Sequence, residues 1–440
     1  MHSLASAFSL PEVTAFEPKL RGPEALPTIQ ARLNVPTILG NGALFKFGVS
    51  GGDLNKVIAF YQDELRQRPG DAACQVDLAL LYLFLQRKDE AYQMQSQALE
   101  RQRVFRVVGT AGKVVPVRQR VLALVAPGDF TNNAQLEFIL DGGNVGLDVL
   151  YLVPGLPLPD ALPEHDVAFV AVNESDENLP VLQRLVDLVP RWPRPVLNAP
   201  ERIARLSRNG VATLLHAVPN VCAPAVRRVT ASDVQSIATG EVDLGDLLPE
   251  ASYPIIVRPV GAHGGKGLAK IDSGAELSAY LQDFNGSIAN FFIAPFIDYR
   301  GADGLFRKYR IVFFEGEPFL CHMALSTHWM IHYLNAGMAE DESKRAAEAH
   351  AMETFQEDFA RRHQSALAAV AARLALDYFV IDCSELPDGR LLLFEADIAM
   401  VIHSMDPPAI FPYKQPNMEK VFDAFRAMIG RASSRSPGDL

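Results

Sequence analysis

A run of β-branched residues, Ile255-Ile256-Val257, leads into a segment with four glycines within seven residues. Arg258 ends the run, and Pro259 prevents the chain from continuing as a helix. A segment so poor in Cβ atoms lets backbone N–H groups surround an anion, and the basic residues Arg258, Lys266 and Lys270 favour a polyphosphate. The glycines are Gly261, Gly264, Gly265 and Gly267, with His263 among them. A flexible hairpin loop is the alternative interpretation.

The spacing of these glycines differs from that of two common nucleotide-binding motifs. Val260 lies where a P-loop has its first glycine, and Gly267 replaces the Ser or Thr of that motif. The spaced Gly-x-Gly-x-x-Gly of a dinucleotide-binding fold is not matched either. The segment therefore predicts nucleotide chemistry in a different architecture.

Three acidic residues form a second candidate site. Two predicted strands meet at Asp388-Gly389, one of the strongest short signals for a β-hairpin. A two-residue loop there would place Asp382 opposite Glu395, and alternation along the strand puts Asp397 on the same face as Glu395. Clustered carboxylates repel one another unless a divalent cation binds, and oxygen-rich sites suit Mg²⁺ or Mn²⁺. The alternative is an acidic surface strand with arginine partners.

A basic strand and a group of histidines lie between these two sites in the sequence. In a hairpin predicted over 306–325, alternation places Lys308 and Arg310 on one face of the first strand. Three histidines follow, without the spacing of a known metal motif: His322, His328 and His332. The last two would share one face if the chain were helical there. A solvated side chain is the simpler interpretation of the histidine in the glycine loop, His263.

The elements that must position these residues are of two kinds. Alternating strands and helices predict a small parallel α/β unit over 118–225. Residues 226–430 carry both candidate sites in strands and hairpins of α+β type. Within them, a charge-rich helical region over 340–376 is most simply a solvated face. We expect an irregular N-terminal arm over 1–50 and a disordered tail over 431–440.

Residues 51–110 have apolar residues at helical spacing, which predicts three helices. The stretches Pro69-Gly-Asp, Leu78-Ala-Leu-Leu-Tyr82 and Asp89-Glu-Ala91 resemble a tetratricopeptide repeat, with about one and a half repeats present. The resemblance implies a surface that docks a peptide or protein partner. A helical cap over the following unit is an equally good interpretation.

Composition limits the class of protein. The chain has 440 residues, of which 49% are hydrophobic and 21% charged, as is usual for globular proteins. Its net charge of −11 argues against a nucleic-acid surface, and the four isolated cysteines suit a reducing compartment. No basic region precedes Pro11, and no apolar run reaches the length of a membrane span. We therefore expect a cytoplasmic protein that binds neither nucleic acid nor membrane.

A parallel α/β unit, a glycine loop between two strands, a basic strand and a carboxylate hairpin follow one another along the chain. In this order they resemble the ATP-grasp superfamily over about residues 120–430, with the parallel unit as its pre-ATP-grasp domain. Tyr253-Pro-Ile-Ile-Val-Arg-Pro is similar to the nucleotide segment of carbamoyl-phosphate synthetases, although most members have lysine where Arg258 stands. Asn198-Ala-Pro200 and Arg208 are similar to glutathione-synthetase-like and ribosomal-protein glutamate ligases. Asp397 replaces the asparagine of the family's Asp…Glu-x-Asn pattern.

The resemblance implies ATP and Mg²⁺ or Mn²⁺ as cofactors and gives roles to individual residues. The metal ligands would be Asp382, Glu395 and Asp397. The catalytic groups would be Arg310, Lys308 and His403. Nucleotide contacts would come from Arg208, Arg258, Gly261, His263, Gly264, Gly265, Lys266, Gly267, Phe296, Ile297 and Asp298. Because Pro295 has no N–H, Phe296 or Ile297 would have to donate to the base, and Asp298 would contact the ribose.

The activity that the resemblance implies is a carboxylate–amine ligase that forms an acylphosphate from ATP and an amino acid or peptide. An acceptor pocket would lie over 325–365, and a homodimer is the expected assembly. A kinase that stops at phosphoryl transfer is the alternative within the same fold. A non-catalytic nucleotide-binding scaffold, with a docking segment at its tetratricopeptide-like helices, is the alternative from another class.

Overall fold

The computed structural model describes residues 24–109, 116–249, 251–262, 264–284 and 286–435. The candidate phosphate contact His263 lies outside the described residues, as do residues 1–23 of the predicted N-terminal arm and 436–440 of the predicted tail. Among the described helices, none is both long enough and apolar enough to cross a membrane.

The described chain contains both strands and helices. The strands are β1 (Thr28–Gln30), β2 (Thr37–Ile38), β3 (Val104–Val107), β4 (Gln119–Val125), β5 (Val145–Tyr151), β6 (Ala161–Pro163), β7 (Val167–Val170), β8 (Val196–Leu197), β9 (Val221–Cys222), β10 (Arg227–Thr230), β11 (Ile255–Pro259), β12 (Ala269–Ile271), β13 (Asn290–Pro295), β14 (Phe306–Phe314), β15 (Glu317–Ser326), β16 (Tyr378–Glu385) and β17 (Leu391–Asp397). The helices are α1 (Gly40–Val49), α2 (Leu54–Gln67), α3 (Ala72–Phe84), α4 (Lys88–Arg101), α5 (Leu136–Ile139), α6 (Leu179–Leu188), α7 (Pro200–Ile203), α8 (Arg208–Leu215), α9 (Ala231–Thr239), α10 (Leu244–Leu247), α11 (Gly274–Gln282), α12 (Glu342–Glu353), α13 (Phe359–Arg362), α14 (Gln364–Leu374) and α15 (Lys414–Ser433).

The first large sheet has the strand order β2-β3-β5-β4-β7-β8. Its pairs are parallel except for β3 with β5, which confirms the parallel pairing expected of β4, β5, β7 and β8. Strands β4 and β7 are runs of buried apolar residues, as expected where helices cover both faces of a parallel sheet. Strands β2 and β3 come from residues that we expected to lie outside this unit, so helices α1 to α4 are inserted between two neighbouring strands of one sheet.

The three helices predicted over 51–110 are present as α2, α3 and α4. Asp53 and Asp71 cap the first two by accepting hydrogen bonds from the backbone N–H groups of Asn55 and Cys74. Most of α3 is buried, and its side chains belong to the same apolar core as the sheet, as a capping helix requires. Residues 40–49, which we expected to be irregular, form helix α1 instead, because its buried Leu44 joins that same core.

A smaller sheet has its own apolar core. Its strand order is β10-β13-β11-β12, and all its pairs are antiparallel. Helices α9 and α11 pack on it, and Ser273 caps α11 as predicted by accepting from the Glu276 N–H. The glycine loop connects β11 to its antiparallel neighbour β12, which confirms the predicted setting of that loop.

The third sheet, of order β15-β14-β16-β17-β9, carries the carboxylate hairpin. Strands β14 and β15 form the predicted hairpin, and β14 also pairs with β16. The helical region predicted over 340–376 is broken into α12, α13 and α14, and it is not simply a solvated face. Glu348, within its charge run, is fully buried, and its carboxylate accepts hydrogen bonds from two tyrosine hydroxyls and a backbone N–H.

Candidate active site

Four polar side chains form a row across the third sheet. His322, Arg310, Asp382 and Glu395 are direct partners on the neighbouring strands β15, β14, β16 and β17, so their side chains share one face. Asp382 is only 1% exposed. The alternative of an acidic strand at the surface is therefore wrong for Asp382, although its arginine partner is present.

Two basic side chains hold the Asp382 carboxylate. Arg310 donates to both of its oxygens, at 2.8 and 3.0 Å, and the Lys308 Nζ lies 2.9 Å from Oδ2. Burial by itself would raise the pKa of Asp382, but Arg310 and Lys308 outweigh it and keep the pKa well below its usual value. Burial would lower the pKa of Arg310, and Asp382 reverses that shift. Asp382 and Arg310 are therefore both charged at neutral pH.

Two arginines from other elements surround Glu395. Arg208, the first residue of α8, donates to its Oε2. Burial raises the pKa of Glu395, whereas Arg208 and Arg258 lower it, and the net result is a lowered pKa. Burial, together with Arg208, lowers the pKa of Arg258 to about 10, so Arg258 stays charged at neutral pH. Arg258 belongs to β11 of the small sheet, and its positive charge lowers the pKa of Glu395 on the third sheet. This interaction links the strand before the glycine loop to the carboxylate hairpin.

Arg258 lies at the base of the glycine loop. Its Nη2 donates to the Ala262 carbonyl, while its Nε is buried and has no hydrogen-bond partner among the described residues. A buried guanidinium with a free donor is expected where an anionic ligand completes the hydrogen bonding. This orphaned donor is the feature of the loop that best fits a phosphate.

The tip of the glycine loop reaches the segment after β15. A Cβ on Gly264 would lie 3.9 Å from the His332 Nε2, and one on Gly265 would lie 3.9 Å from the Met330 Sδ. Gly261, Gly264, Gly265 and Gly267 all have positive φ angles, between 62° and 77°. Lys266 is exposed. The loop therefore adopts a backbone that favours glycine, close to the residues expected to form the acceptor pocket.

We expect Gly267→Ala to lower the free energy of unfolding by roughly 2–4 kcal/mol. The new Cβ would lie 2.8 Å from the Pro259 Cδ and 3.2 Å from the Phe284 Cζ, at a φ of +67°. Gly261→Ala is the matched control, since its φ is +76° and nothing lies within 4 Å of its Cβ. Backbone strain alone gives that control a loss of about 1–2 kcal/mol. Calorimetry that finds equal losses in the two variants would contradict the close packing around Gly267.

The predicted hinge strand ends at the edge of the small sheet. The Phe296 N–H donates to the Pro254 carbonyl at 3.1 Å, so it is already engaged. Phe296 and Ile297 were the two residues predicted to donate to the base, so Ile297 is the one that remains. The Lys270 Nζ lies 4.9 Å from the centre of the Phe296 ring, which gives this edge a cation beside an aromatic face. Asp298 is exposed and accepts from the Arg300 N–H.

Three histidines lie near Arg310 of the basic strand β14. Burial lowers the pKa of His322, His332 and His403, and the nearby Arg310 contributes to each shift. His328 is exposed, and no helix spans 328–332, so His328 and His332 do not share a helix face. His403 follows β17 and lies 3.9 Å from Asp406. Neutral imidazoles therefore border Arg310.

The end of β17 meets the carboxyl edge of the parallel sheet. The Asp397 Oδ2 lies 3.4 Å from the Nδ2 of Asn173, which follows β7. Burial, and then Glu395, raise the pKa of Asp397 to about 6. Burial, and then Asp397, raise the pKa of Glu174 to about 7. The sequence analysis missed Asn173 and Glu174; their position just after a buried parallel strand was the available signal.

A buried polar network around Glu348 was also not predicted from the sequence. Glu348 accepts from the hydroxyls of Tyr333 and Tyr413, at 2.7 and 2.6 Å, and from the Met323 N–H at 3.1 Å. The Nζ of Lys414 lies 3.5 Å from Glu348 and 3.4 Å from Asp406. This network (Met323, Tyr333, Glu348, Asp406, Tyr413 and Lys414) ties α12 and α15 to the segment that carries His403.

The three candidate metal ligands offer only oxygen atoms, which Mg²⁺ and Mn²⁺ prefer. In the part of the chain that the structure describes, no three His, Cys, Asp or Glu side chains are grouped so that they could hold a metal ion. Mg²⁺ bound to a nucleotide needs only one or two protein carboxylates, because phosphate and water oxygens complete its coordination. A nucleotide-bound ion would therefore need only one or two of Asp382, Glu395 and Asp397 as ligands.

Known proteins give a limited comparison. No protein family and no curated protein matches the chain. Similar solved structures include the D-alanine–D-alanine ligase from Bacillus anthracis complexed with ATP, which is 13% identical with a TM-score of 0.39, and that from Coxiella burnetii, at 10% and 0.43. Each similarity covers 72% of this chain and 96% of the ligase. A RimK domain protein ATP-grasp from Sphaerobacter thermophilus DSM 20745 is 14% identical, with a TM-score of 0.38, over 69% of this chain and 98% of that protein. At these identities, residue roles have to be argued from the contacts of this chain.

Proposed function

We propose that the protein is an ATP-grasp enzyme, an ATP- and Mg²⁺-dependent carboxylate–amine ligase that acts through an acylphosphate. One observation carries the proposal: basic side chains from three separate elements surround two carboxylates of one hairpin, beside a glycine loop. The basic residues are Arg208, Arg258, Lys308 and Arg310. Such a cluster of basic and acidic side chains fits a cleft that receives both a polyanion and a divalent cation.

The ion pairs of the cleft suggest how it accepts its ligands. Asp382 forms ion pairs with Lys308 and Arg310, and Glu395 forms one with Arg208. With ATP, one or two of Asp382, Glu395 and Asp397 would hold Mg²⁺, and the basic groups would turn to phosphate oxygens. The bound ion supplies positive charge that offsets the charge of the phosphates. The Arg258 Nε and the loop N–H groups would hold the triphosphate, with Lys266 at the loop surface.

Adenosine would bind at the edge of the small sheet. The Ile297 N–H would donate to the base, because the Phe296 N–H is engaged by Pro254. Lys270 would lie along the same edge, and Asp298 would accept from the ribose hydroxyls. These contacts would direct the γ-phosphate toward Arg310, since Arg258 of the small sheet is close enough to Glu395 of the hairpin to lower its pKa.

The reaction needs no protein nucleophile. A substrate carboxylate oxygen attacks the γ-phosphorus, the bond from that phosphorus to the ADP oxygen breaks, and an acylphosphate forms. The amine nitrogen then attacks the acyl carbon, gives up a proton, and displaces inorganic phosphate. Lys308 and Arg310 would stabilise the oxyanions of the transferred group, and His403 lies near the expected position of the second substrate. The His403 Nδ1 accepts a hydrogen bond from the Met405 N–H at 3.2 Å, which orients the ring.

The proposal is tested by measuring what ADP release requires. We expect ADP to appear only when ATP, Mg²⁺ or Mn²⁺, an acid and an amine are all present, with mass spectrometry showing the amide product. Chelation of the metal by EDTA should reduce turnover to background, and added Mg²⁺ should restore it. ADP release with the acid alone, together with a stable phosphorylated product, would identify the kinase alternative. Nucleotide binding without any ADP release would identify the scaffold.

A further inference from the structure

A short segment between β15 and α12 contacts three separate parts of the molecule. Residues 327–332 form neither a helix nor a strand, and Tyr333–Asn335 make one 3₁₀ turn. We call residues 327–335 the bridging segment. Trp329, near its beginning, has no part in the chemistry proposed above, although its position links the nucleotide side of the cleft to the acceptor side.

The Trp329 ring lies against the edge of the small sheet where adenosine would bind. Its centre is 5.7 Å from that of the Phe296 ring, and the two rings meet edge to face at 83°. The Lys270 Nζ also lies 4.9 Å from the centre of the Phe296 ring. Aromatic pairs of this geometry attract each other beyond their buried area, so a base that contacts Phe296 or Ile297 would change the surroundings of Trp329.

The backbone of Trp329 is anchored to the main apolar core, which is the one that contains the parallel sheet. The Tyr299 hydroxyl donates to the Trp329 carbonyl, and Tyr299 is only 5% exposed. The Tyr299 ring packs against Phe306 and Phe394, whose ring centres are 4.8 and 5.0 Å away. Because the small sheet has its own apolar core, Trp329 joins the main core to the edge of a separately packed unit.

The residues after Trp329 reach the other sides of the cleft. Met330 and His332 lie next to the tip of the glycine loop. Lys308 and Arg310 help to lower the pKa of His332, so that side chain also lies near the basic strand. Between residues 329 and 332, the bridging segment therefore passes from the hinge edge to the loop tip and to the basic strand.

We propose that Trp329 is a positioning residue, which couples nucleotide binding at the hinge to the folding of the bridging segment beside the second substrate. A nucleotide that contacts Phe296 and Ile297 fixes the Trp329 ring, and the residues attached to it then take up one arrangement. ATP therefore binds first and prepares the acceptor side, and by linkage the acceptor tightens ATP binding by the same factor. This inference rests on the proposed function for the nucleotide and the hinge. A ring that only fills space in the core would not respond to nucleotide.

Tryptophan fluorescence tests whether nucleotide binding reaches Trp329. The chain has two tryptophans, and Trp192 is 4% exposed, with its Nε1 donating to His165. In Trp192→Phe only Trp329 emits, and we expect ADP with Mg²⁺ to change that emission at the affinity that calorimetry gives for ADP. In Trp329→Phe the change should disappear although ADP still binds. If Trp192→Phe does not fold, the original protein takes its place in this comparison.

Hydrogen exchange followed by mass spectrometry tests whether the bridging segment responds through Trp329. The Asn335 and Ala336 N–H groups bond the carbonyls of His332 and Tyr333, at 2.9 and 3.2 Å, so their exchange reports whether this segment is folded. We expect ADP with Mg²⁺ to slow that exchange at least roughly fivefold. Trp329→Leu should abolish the slowing, whereas Trp329→Phe, which keeps an aromatic edge, should retain most of it.

Leu334→Ala is the matched control, because Leu334 belongs to the same segment but is 83% exposed. ADP should slow exchange in this variant as it does in the original protein. A kinetic measurement separates positioning from stability. Trp329→Leu should raise the KM for the acid or the amine at least roughly fivefold, while the Kd for ADP changes less than about twofold. A purely structural role would not produce that difference between the two constants.

Each outcome supports the inference or overturns it. Slowed exchange that Trp329→Leu abolishes and Leu334→Ala preserves supports it. Unchanged Trp329 emission at saturating ADP overturns it, as does slowing that persists in a folded Trp329→Leu protein. If exchange does not respond to bound ADP while turnover requires both acid and amine, only the inference fails. Coupling without any ADP release rejects the ligase alone, and a failure to bind ADP rejects both.

Discussion

Asp382→Asn is expected to lower ATP turnover roughly a hundredfold to a thousandfold and to cost about 3–5 kcal/mol of unfolding free energy. The loss of turnover follows from the proposed role of Asp382 in holding the metal ion and aligning the phosphates. The loss of stability follows from burial, because Lys308 and Arg310 would keep their charges while their shared partner became neutral. Because Asp382→Asn is expected to lower both turnover and stability, this variant alone does not separate the two roles of Asp382.

A double variant separates the two roles of Asp382. Adding Lys308→Met to Asp382→Asn removes one of the two stranded charges, so part of the lost melting temperature should return. Turnover should not return, because neither new side chain binds a metal ion or a phosphate. Calorimetry and ADP release measure the two quantities. Recovery of turnover in the double variant would reject the assignment of Asp382 to the metal.

Asp388→Asn provides the matched control on the same hairpin. Asp388 is about half exposed, and its ion pair with Arg390 lies at the turn, away from the row of polar side chains. Surface pairs of this kind contribute little, so stability and turnover should both stay close to those of the original protein. A loss equal to that of Asp382→Asn would show that the hairpin, and not the buried carboxylate, is what matters.

The carboxylate pair was predicted correctly from the sequence, although part of the reasoning was wrong. Asp382 lies opposite Glu395 as expected. The loop, however, has three residues and not two, because Leu386 pairs with Arg390 and Gly389 takes a φ of +83°. This shifts the register by one residue near the turn, and an irregularity beside Asp382 shifts it back. Bulges of that kind depend on packing across the sheet, so turn residues alone do not reveal them.

The partners of Asp382 could not be predicted from local patterns. Alternation correctly placed Lys308 and Arg310 on one face of β14, but nothing in that pattern shows that β14 pairs with β16. The pairing joins residues more than seventy positions apart, as for Arg310 and Asp382. Sequence periodicity indicates which face a side chain occupies, while the neighbouring strand is decided by the packing of the whole sheet. Lys308 and Arg310 were therefore predicted to be catalytic groups and Asp382 a metal ligand. The structure joins both basic residues to Asp382 in ion pairs.

The burial of Glu348 could not be predicted from its neighbours in the sequence. Its surroundings in the sequence, Glu342-Ser-Lys-Arg-Ala-Ala-Glu348, are typical of an exposed helix, and this composition predicted a solvated face. The side chain is buried because donors from three other segments converge on it: Tyr333, Tyr413 and Lys414, and the Met323 N–H. Burial raises the pKa of Glu348, while Lys414 and the tyrosine hydroxyls act against that rise. Only the folded contacts distinguish it from its exposed neighbours.

Glu348→Ala should therefore be among the most destabilising substitutions in the chain, at about 3–5 kcal/mol. It leaves two tyrosine hydroxyls and a backbone N–H without their acceptor, and it leaves the 4%-exposed Lys414 with Asp406 alone. Glu353→Ala, on the exposed side of the same helix, is the control, and its melting temperature should stay near that of the original protein. Calorimetry that finds the two variants within about a degree of each other would show that the network does not stabilise the fold.

The double variant Glu348→Leu with Lys414→Met tests what the network does beyond stability. Apolar side chains of similar size often replace a buried ion pair at little cost, so most of the lost melting temperature should return. Lys414 also fixes Asp406, which lies 3.9 Å from His403, and Glu348 fixes Tyr333 in the segment near the glycine loop. If the charges hold the acceptor side in position, the double variant should have a raised KM for the amine and an unchanged KM for ATP. Normal kinetics in a stable double variant would mean that Glu348 and Lys414 serve only the fold.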